Sequence, residues 1–235
     1  MDKSGDRIIN LSAGGGNWSQ REKQTQSDAL YGVICSCFAK STERDPARTQ
    51  WITRFENILM QSSTEQTLYD FKLGFHPLLA GESKFDSDTF SKVIKTLTAM
   101  ANTFRGAVGY CLLGVADNKA TADRYSEIFK DDYISYSSFY ITGVNSEAVV
   151  NHGDIDKYFT KLVQLIKSQP ISERDKDNIS RNIGTIKYFN KSVIILKIES
   201  DSKPSVYEGK YFVRHGSNIE EVKPENFSEL FSRFS

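Results

Sequence analysis

Long apolar runs are missing from this 235-residue sequence, and none approaches the roughly 18–20 residues that a membrane-crossing helix needs. Met1 to Asn10 carries Asp2, Lys3, Asp6 and Arg7 and no apolar leader core, so the chain reads as cytoplasmic, neither membrane-bound nor secreted. Cysteine is scarce. Cys35, Cys37 and Cys111 are odd in number and lie among apolar neighbours, which argues against a disulfide framework, and Cys35-Ser-Cys37 lacks zinc spacing. The three histidines, His76, His152 and His215, are scattered and complete no site, and no Ser-His-Asp or Cys-His arrangement is readable. Charge of one sign is missing too: thirty Lys plus Arg balance thirty Asp plus Glu, so a nucleic-acid partner has to be held by a local basic patch. Gly14-Gly15-Gly16 is neither preceded by a strand nor followed by Gly-Lys-Ser/Thr, so no phosphate loop and no nucleotide cofactor are expected, which disfavours an ATPase.

What is present suits one large domain: 39% of the residues are hydrophobic and 26% charged. Residues 1–26 read as a flexible arm and 27–61 as a helical extension. Its first helix carries Leu30, Val33, Ile34 and Cys37 on one stripe. Its second is capped by Asp45, starts at Pro46 and puts Ile52, Phe55 and Leu59 on one face. At Thr67 the period changes to two, and Thr67 to Leu73 reads as a strand with Asp70 and Lys72 opposite Tyr69 and Phe71. A loop of about 15 residues follows, either a functional flap or a variable insertion. From Asp88, Phe90, Val93, Ile94, Leu97 and Ala101 trace a helix ending near Asn102, and the apolar run Ala107 to Ala116 predicts a strand buried on both faces. Strand, helix and strand form a βαβ-like unit with Asp117 at its carboxyl end, where open α/β sheets tend to place ligands.

Downstream, Asp154 caps a helix that turns Ile155, Tyr158, Phe159, Leu162 and Ile166 inward. Ile183–Phe189 and Ser192–Glu199 are expected to pair through Asn190-Lys191, and Ser205–His215 to fold back at Glu208-Gly209. A last helix starts at Pro224 and is expected to bury Phe227, Leu230, Phe231 and Phe234. The fold class expected is mixed α/β, a mixed sheet with flanking helices in residues 62–235, preceded by the N-terminal helical pair.

The sharpest chemical grouping is Glu65, Asp70, Lys72 and Asp117. Three converging carboxylates can hold Mg2+ or Mn2+ through oxygen, and a lysine beside them can steady a scissile phosphate. Five residues separate Glu65 from Asp70, so Glu65 reaches the same face only from a turn before the strand. The plainer alternative makes Asp70 and Lys72 a solvated pair and leaves Glu65 and Asp117 as loop and turn acids.

Four motifs in order, Glu65-Gln-Thr-Leu-Tyr-Asp70-Phe-Lys72, Ala99-Met-Ala-Asn102-Thr103, Leu113-Gly114-Val115-Ala-Asp117 and Tyr211-Phe-Val-Arg214-His-Gly216-Ser217, resemble the Schlafen-type AlbA-like domain over about residues 62–235. The resemblance implies a mixed α/β nucleic-acid-binding fold. In members with the full acidic triad it implies a metal-dependent endoribonuclease acting on tRNA and rRNA, in a setting of anti-viral or stress defence. The family positions fall on Glu65, Asp70 and Asp117 as acids binding Mg2+ or Mn2+, with Lys72 as the lysine. Many relatives are binding modules without nuclease activity. Asp70 stands where Glu is common, and Arg105-Gly106-Ala107 where relatives often have Gly-Gly.

Arg105, Lys187, Lys210, Arg214 and His215 are the candidate phosphate contacts, with Lys191 and Lys203 extending the basic edge of the C-terminal hairpins. Arg214 can equally pair with an acid inside the fold, and edge lysines also guard against aggregation. Tyr133, Tyr136, Phe139 and Tyr140 either stack on unpaired bases or pack in the core. The partners expected are tRNA-like RNA or single-stranded nucleic acid, bound by a nuclease or by a catalytically silent module. A third reading is a protein-interaction or homo-oligomerisation domain docking through the N-terminal helices.

Overall fold

The computed structural model describes residues 46–62 and 67–235. The expected arm, the first helix with Cys35 and Cys37, the Asp45 cap and Glu65 lie outside the described residues. The chain divides into two compact units, 1–50 and 51–235, and every strand among the described residues belongs to the second.

Helix α1 (Pro46–Gln61) leads to β1 (Tyr69–Lys72), α2 (Ser87–Ala101) and β2 (Val108–Leu113). Strand β2 runs parallel to β1, so the βαβ unit is as the sequence implies. The strand β7 (Lys191–Glu199) pairs antiparallel to β2 and to β6 (Gly184–Tyr188), giving a mixed four-stranded sheet in the order β1-β2-β7-β6. Side chains alternate across this sheet. Cys111, Leu113, Ile194, Leu196 and Ile198 face a core shared with Phe90, Val93, Ile94 and Leu97 of α2. Tyr110, Leu112, Val193 and Ile195 face the opposite core, which takes in Phe55, Ile58 and Leu59 of α1. Burial on both faces is why β2 and the Val193–Leu196 stretch of β7 read as apolar runs rather than alternating ones.

The run Ala107–Ala116 is not one strand. Gly114 has φ +94°, and a Cβ there would lie 2.8 Å from the backbone of Gly143. The chain turns at that glycine, and β3 (Val115–Ala116) joins a second sheet with β4 (Ile134–Tyr136) and β5 (Phe139–Ile141). Asp117 therefore follows β3, past the switch between sheets, and Asn118 caps α3 (Lys119–Phe129).

Helices α4 (Asn145–His152), α5 (Ile155–Lys167) and α6 (Glu173–Asn182) come next, with Asp154 capping α5 as expected and Tyr158, Leu162 and Ile166 buried. The β6–β7 hairpin turns at Phe189-Asn190, one residue earlier than the sequence suggests, because Tyr188 pairs with Lys191. The last sheet joins β8 (Val206–Tyr207), β9 (Lys210–His215) and β10 (Asn218–Glu221), turning at Glu208-Gly209 as expected. A 3-10 turn (Pro224–Asn226) and α7 (Phe227–Ser232) close the chain and bury Leu230 and Phe234. Phe231 is not buried as expected: it is 44% exposed, its ring edge resting on Tyr211 at 5.5 Å. Among the described residues no helix is long and apolar enough to cross a membrane.

Candidate functional site

Strand β1 is short and lies at one side of its sheet, and its alternation sends Tyr69 and Phe71 to one face and Asp70 to the other, as the period-two pattern requires. That other face is not solvent. Asp70 is buried opposite Cys111, whose Sγ lies 3.9 Å from Asp70 Oδ2. Burial, and after it the charge of Asp70, raises the pKa of the Cys111 thiol well above its usual value.

Two cations compensate the buried carboxylate. Lys72 Nζ donates to Asp70 Oδ1 at 3.0 Å. The Arg214 guanidinium, its side chain 2% exposed, stands 3.7 Å from the same oxygen and donates to the carbonyl of Tyr69 at 2.8 Å. The solvated reading of Asp70 is therefore corrected, and of the two readings left open for Arg214 the structure takes the internal pairing. Being buried, this guanidinium offers no face to a phosphate.

The remaining candidates lie outside β1. Asp117 is exposed and accepts a hydrogen bond from Asn118 at 2.8 Å. Arg105, Lys187 and His215 are exposed, and their side chains make no ion pair with any described residue. Lys210 is exposed and pairs with Glu221 at 2.9 Å. Lys191, counted with the basic edge, is only 2% exposed and pairs with Asp131, because it begins β7 instead of sitting in the turn. Of the four aromatic candidates, Phe139 packs on Phe71 at 4.5 Å in the core, Tyr136 lies edge-on to Tyr188, and Tyr133 lies edge-on to Tyr140 while donating to Asp123.

A divalent cation suits Asp70 poorly, because its carboxylate is buried with an ammonium at 3.0 Å and a guanidinium at 3.7 Å, and a third positive group there would be repelled by both. Among the described residues no three His, Cys, Asp or Glu side chains form a metal-holding set.

Two further features emerge only in the fold. Asn102, in the Ala-x-Ala-Asn motif, is fully buried; its Nδ2 donates to the carbonyls of Ser205 and Phe212, both at 2.8 Å, and its Oδ1 accepts from Ser205 N–H at 2.7 Å. An amide that both donates and accepts suits this role, so that motif ties α2 to the C-terminal strands. The histidines are the second feature. His76 and His152 are not scattered in the fold: their Nε2 atoms lie 3.0 Å apart. No local signal announces this, since 76 residues separate them.

A family model described as "Schlafen, AlbA_2" matches residues 65–223. A solved structure, the DIP2311 protein from Corynebacterium diphtheriae, is 17% identical with a TM-score of 0.45; the match covers 80% of this chain and 29% of that one, so this chain spans less than a third of its length. No curated protein matches.

Proposed function

The chain belongs to the Schlafen, AlbA_2 family, which points to nucleic-acid binding, and on that premise we propose that this domain binds RNA, tRNA-like or single-stranded, without cutting it. One observation carries the choice of binding over cleavage. Asp70, at the family's second acidic position, is spent inside the fold as the counter-ion of Lys72 and Arg214. A carboxylate used that way cannot be removed without leaving a buried cation uncompensated, and it is poorly placed to hold Mg2+ or Mn2+ against phosphate. Exposed Arg105, Lys187, Lys210 and His215 supply phosphate contacts from the surface.

The test pairs binding with cleavage. Fluorescently labelled tRNA and single-stranded RNA are titrated with the protein at several salt concentrations, then incubated with it in Mg2+ or Mn2+, with EDTA as control. Salt-sensitive binding without metal-dependent cleavage is the expected result. In the same series Asp70→Asn should lower stability by about 3 kcal/mol, since it leaves Arg214 buried and unpaired. Asp117→Asn, on an exposed side chain, should stay within about 0.5 kcal/mol of wild type. Cleavage that EDTA and both substitutions abolish would establish a nuclease instead, and absence of salt-sensitive binding would leave a protein-interaction domain.

A further inference from the structure

The loop after β1 and the end of α4 bring together two side chains that the nucleic-acid reading does not use. His76 Nδ1 lies 2.9 Å from the carbonyl oxygen of Ser83. A carbonyl only accepts, so Nδ1 carries the hydrogen, and the neutral ring presents Nε2 as a bare lone pair. That lone pair points at His152 Nε2, 3.0 Å away, with the ring centroids 5.0 Å apart. With no ion bound, His152 Nε2–H donates to His76. Moving that hydrogen to the ring's own Nδ1 leaves two lone pairs facing each other, and an ion to one side of the line between them is within bonding reach of both.

We infer that His76 and His152 form a binding site for a divalent transition ion of the Zn2+ class, completed by water. Two nitrogens each about 2.0–2.1 Å from one ion stand roughly 2.9 Å apart at a right angle and roughly 3.4 Å apart in a tetrahedron, a range that includes the separation seen here. The Ser83 carbonyl behind His76 is the kind of outer partner that orients a metal-bound imidazole. His152 is held flat against Tyr158, ring centroids 4.5 Å apart at 10°, and Tyr158 is in turn anchored by its hydroxyl donating to Glu147. His152 also occupies the last turn of α4, where the unpaired carbonyls favour positive charge. Glu147 itself is taken up by Tyr158 and the Phe75 N–H and is not a ligand. Of the nearby cations on α5, Lys157 is paired with Asp154 and Lys161 opposes the ion. Nitrogen ligands prefer Zn2+, Ni2+ or Cu2+ over Mg2+ and Ca2+. A bound ion would tie the 74–86 loop to α4.

The site is tested by calorimetric titration of the whole chain with Zn2+ and, separately, Mg2+, for wild type, His76→Gln, His152→Gln and the double variant. One Zn2+ per chain is expected, bound at least about tenfold more weakly by each single variant, with no heat from Mg2+. Zn2+ should also slow amide exchange across residues 76–84 of wild type, a readout that needs no variant to fold. Undiminished Zn2+ binding by a folded double variant overturns the site, as does unchanged exchange in wild type at millimolar Zn2+.

Discussion

A buried acid sets how this domain responds to pH. Glu147 accepts from Phe75 N–H and from the Tyr158 hydroxyl, and its carboxylate lies so close to Gly74 that a Cβ there would fall 1.6 Å from Oε2. Burial pushes its pKa from 4.5 up to about 7, with the hydrogen bonds from Tyr158 and the backbone pulling the other way. Between those values the native state holds the proton more tightly than the unfolded chain. The stabilisation is therefore complete below about pH 4.5 and is lost as pH rises towards 7, by an amount on the order of 3 kcal/mol. Glu147→Gln removes that titration. Urea unfolding at pH 5 and pH 7.5 should show the variant gaining stability relative to wild type at the higher pH. The His76 and His152 titrations run in the opposite direction but are common to both proteins and cancel in the difference. A constant difference between the two pH values would refute the buried-acid account.

Elements here are joined as much by single polar side chains as by apolar stripes. The sequence points to Asp88 as the start of helix α2; the helix begins at Ser87 because Asp86 accepts from Thr89 N–H at 2.9 Å, and its apolar stripe lies where the sequence places it. Its far end depends on Asn102. Asn102→Ala deletes three hydrogen bonds and leaves the buried amide of Ser205 and the carbonyls of Ser205 and Phe212 without that partner. The expected cost is about 2–4 kcal/mol, read as a lower urea midpoint at unchanged slope. A loss under about 0.5 kcal/mol would mean that water replaces the amide without penalty. Asn102→Asp should fare little better, since a carboxylate cannot donate to two carbonyls.

Over the whole molecule the charges sum to zero, so binding to a polyanion rests on which cations reach the surface. Arg214 and Lys191 do not, being neutralised inside by Asp70 and Asp131. Arg105, Lys187 and Lys210 do. Replacing these three by Ala should flatten the logarithmic dependence of single-stranded RNA affinity on salt by about 2, at roughly 0.7 for each phosphate that is no longer neutralised. An unchanged slope in the folded triple variant would move the interface to another surface.

Much of the framework is legible in the sequence because short-range rules decide it. Periodicity of two marks β1, the stripe from Phe90 to Ala101 marks α2, a continuous apolar run marks β2, and Glu208-Gly209 marks a turn. The order of four motifs suffices to indicate the family. What local pattern cannot carry is the identity of a partner distant in the chain. Gly114 breaks an apolar run because Gly143 approaches it, and Arg214 is internal because β9 brings it to the backbone of Tyr69. Lys191 is buried through pairing with Asp131, and His76 meets His152 across 76 residues. A charged or imidazole side chain looks the same in sequence whether its counterpart is solvent, phosphate or another side chain. Tertiary packing chose the counterpart here, because a buried charge has to be matched inside the fold.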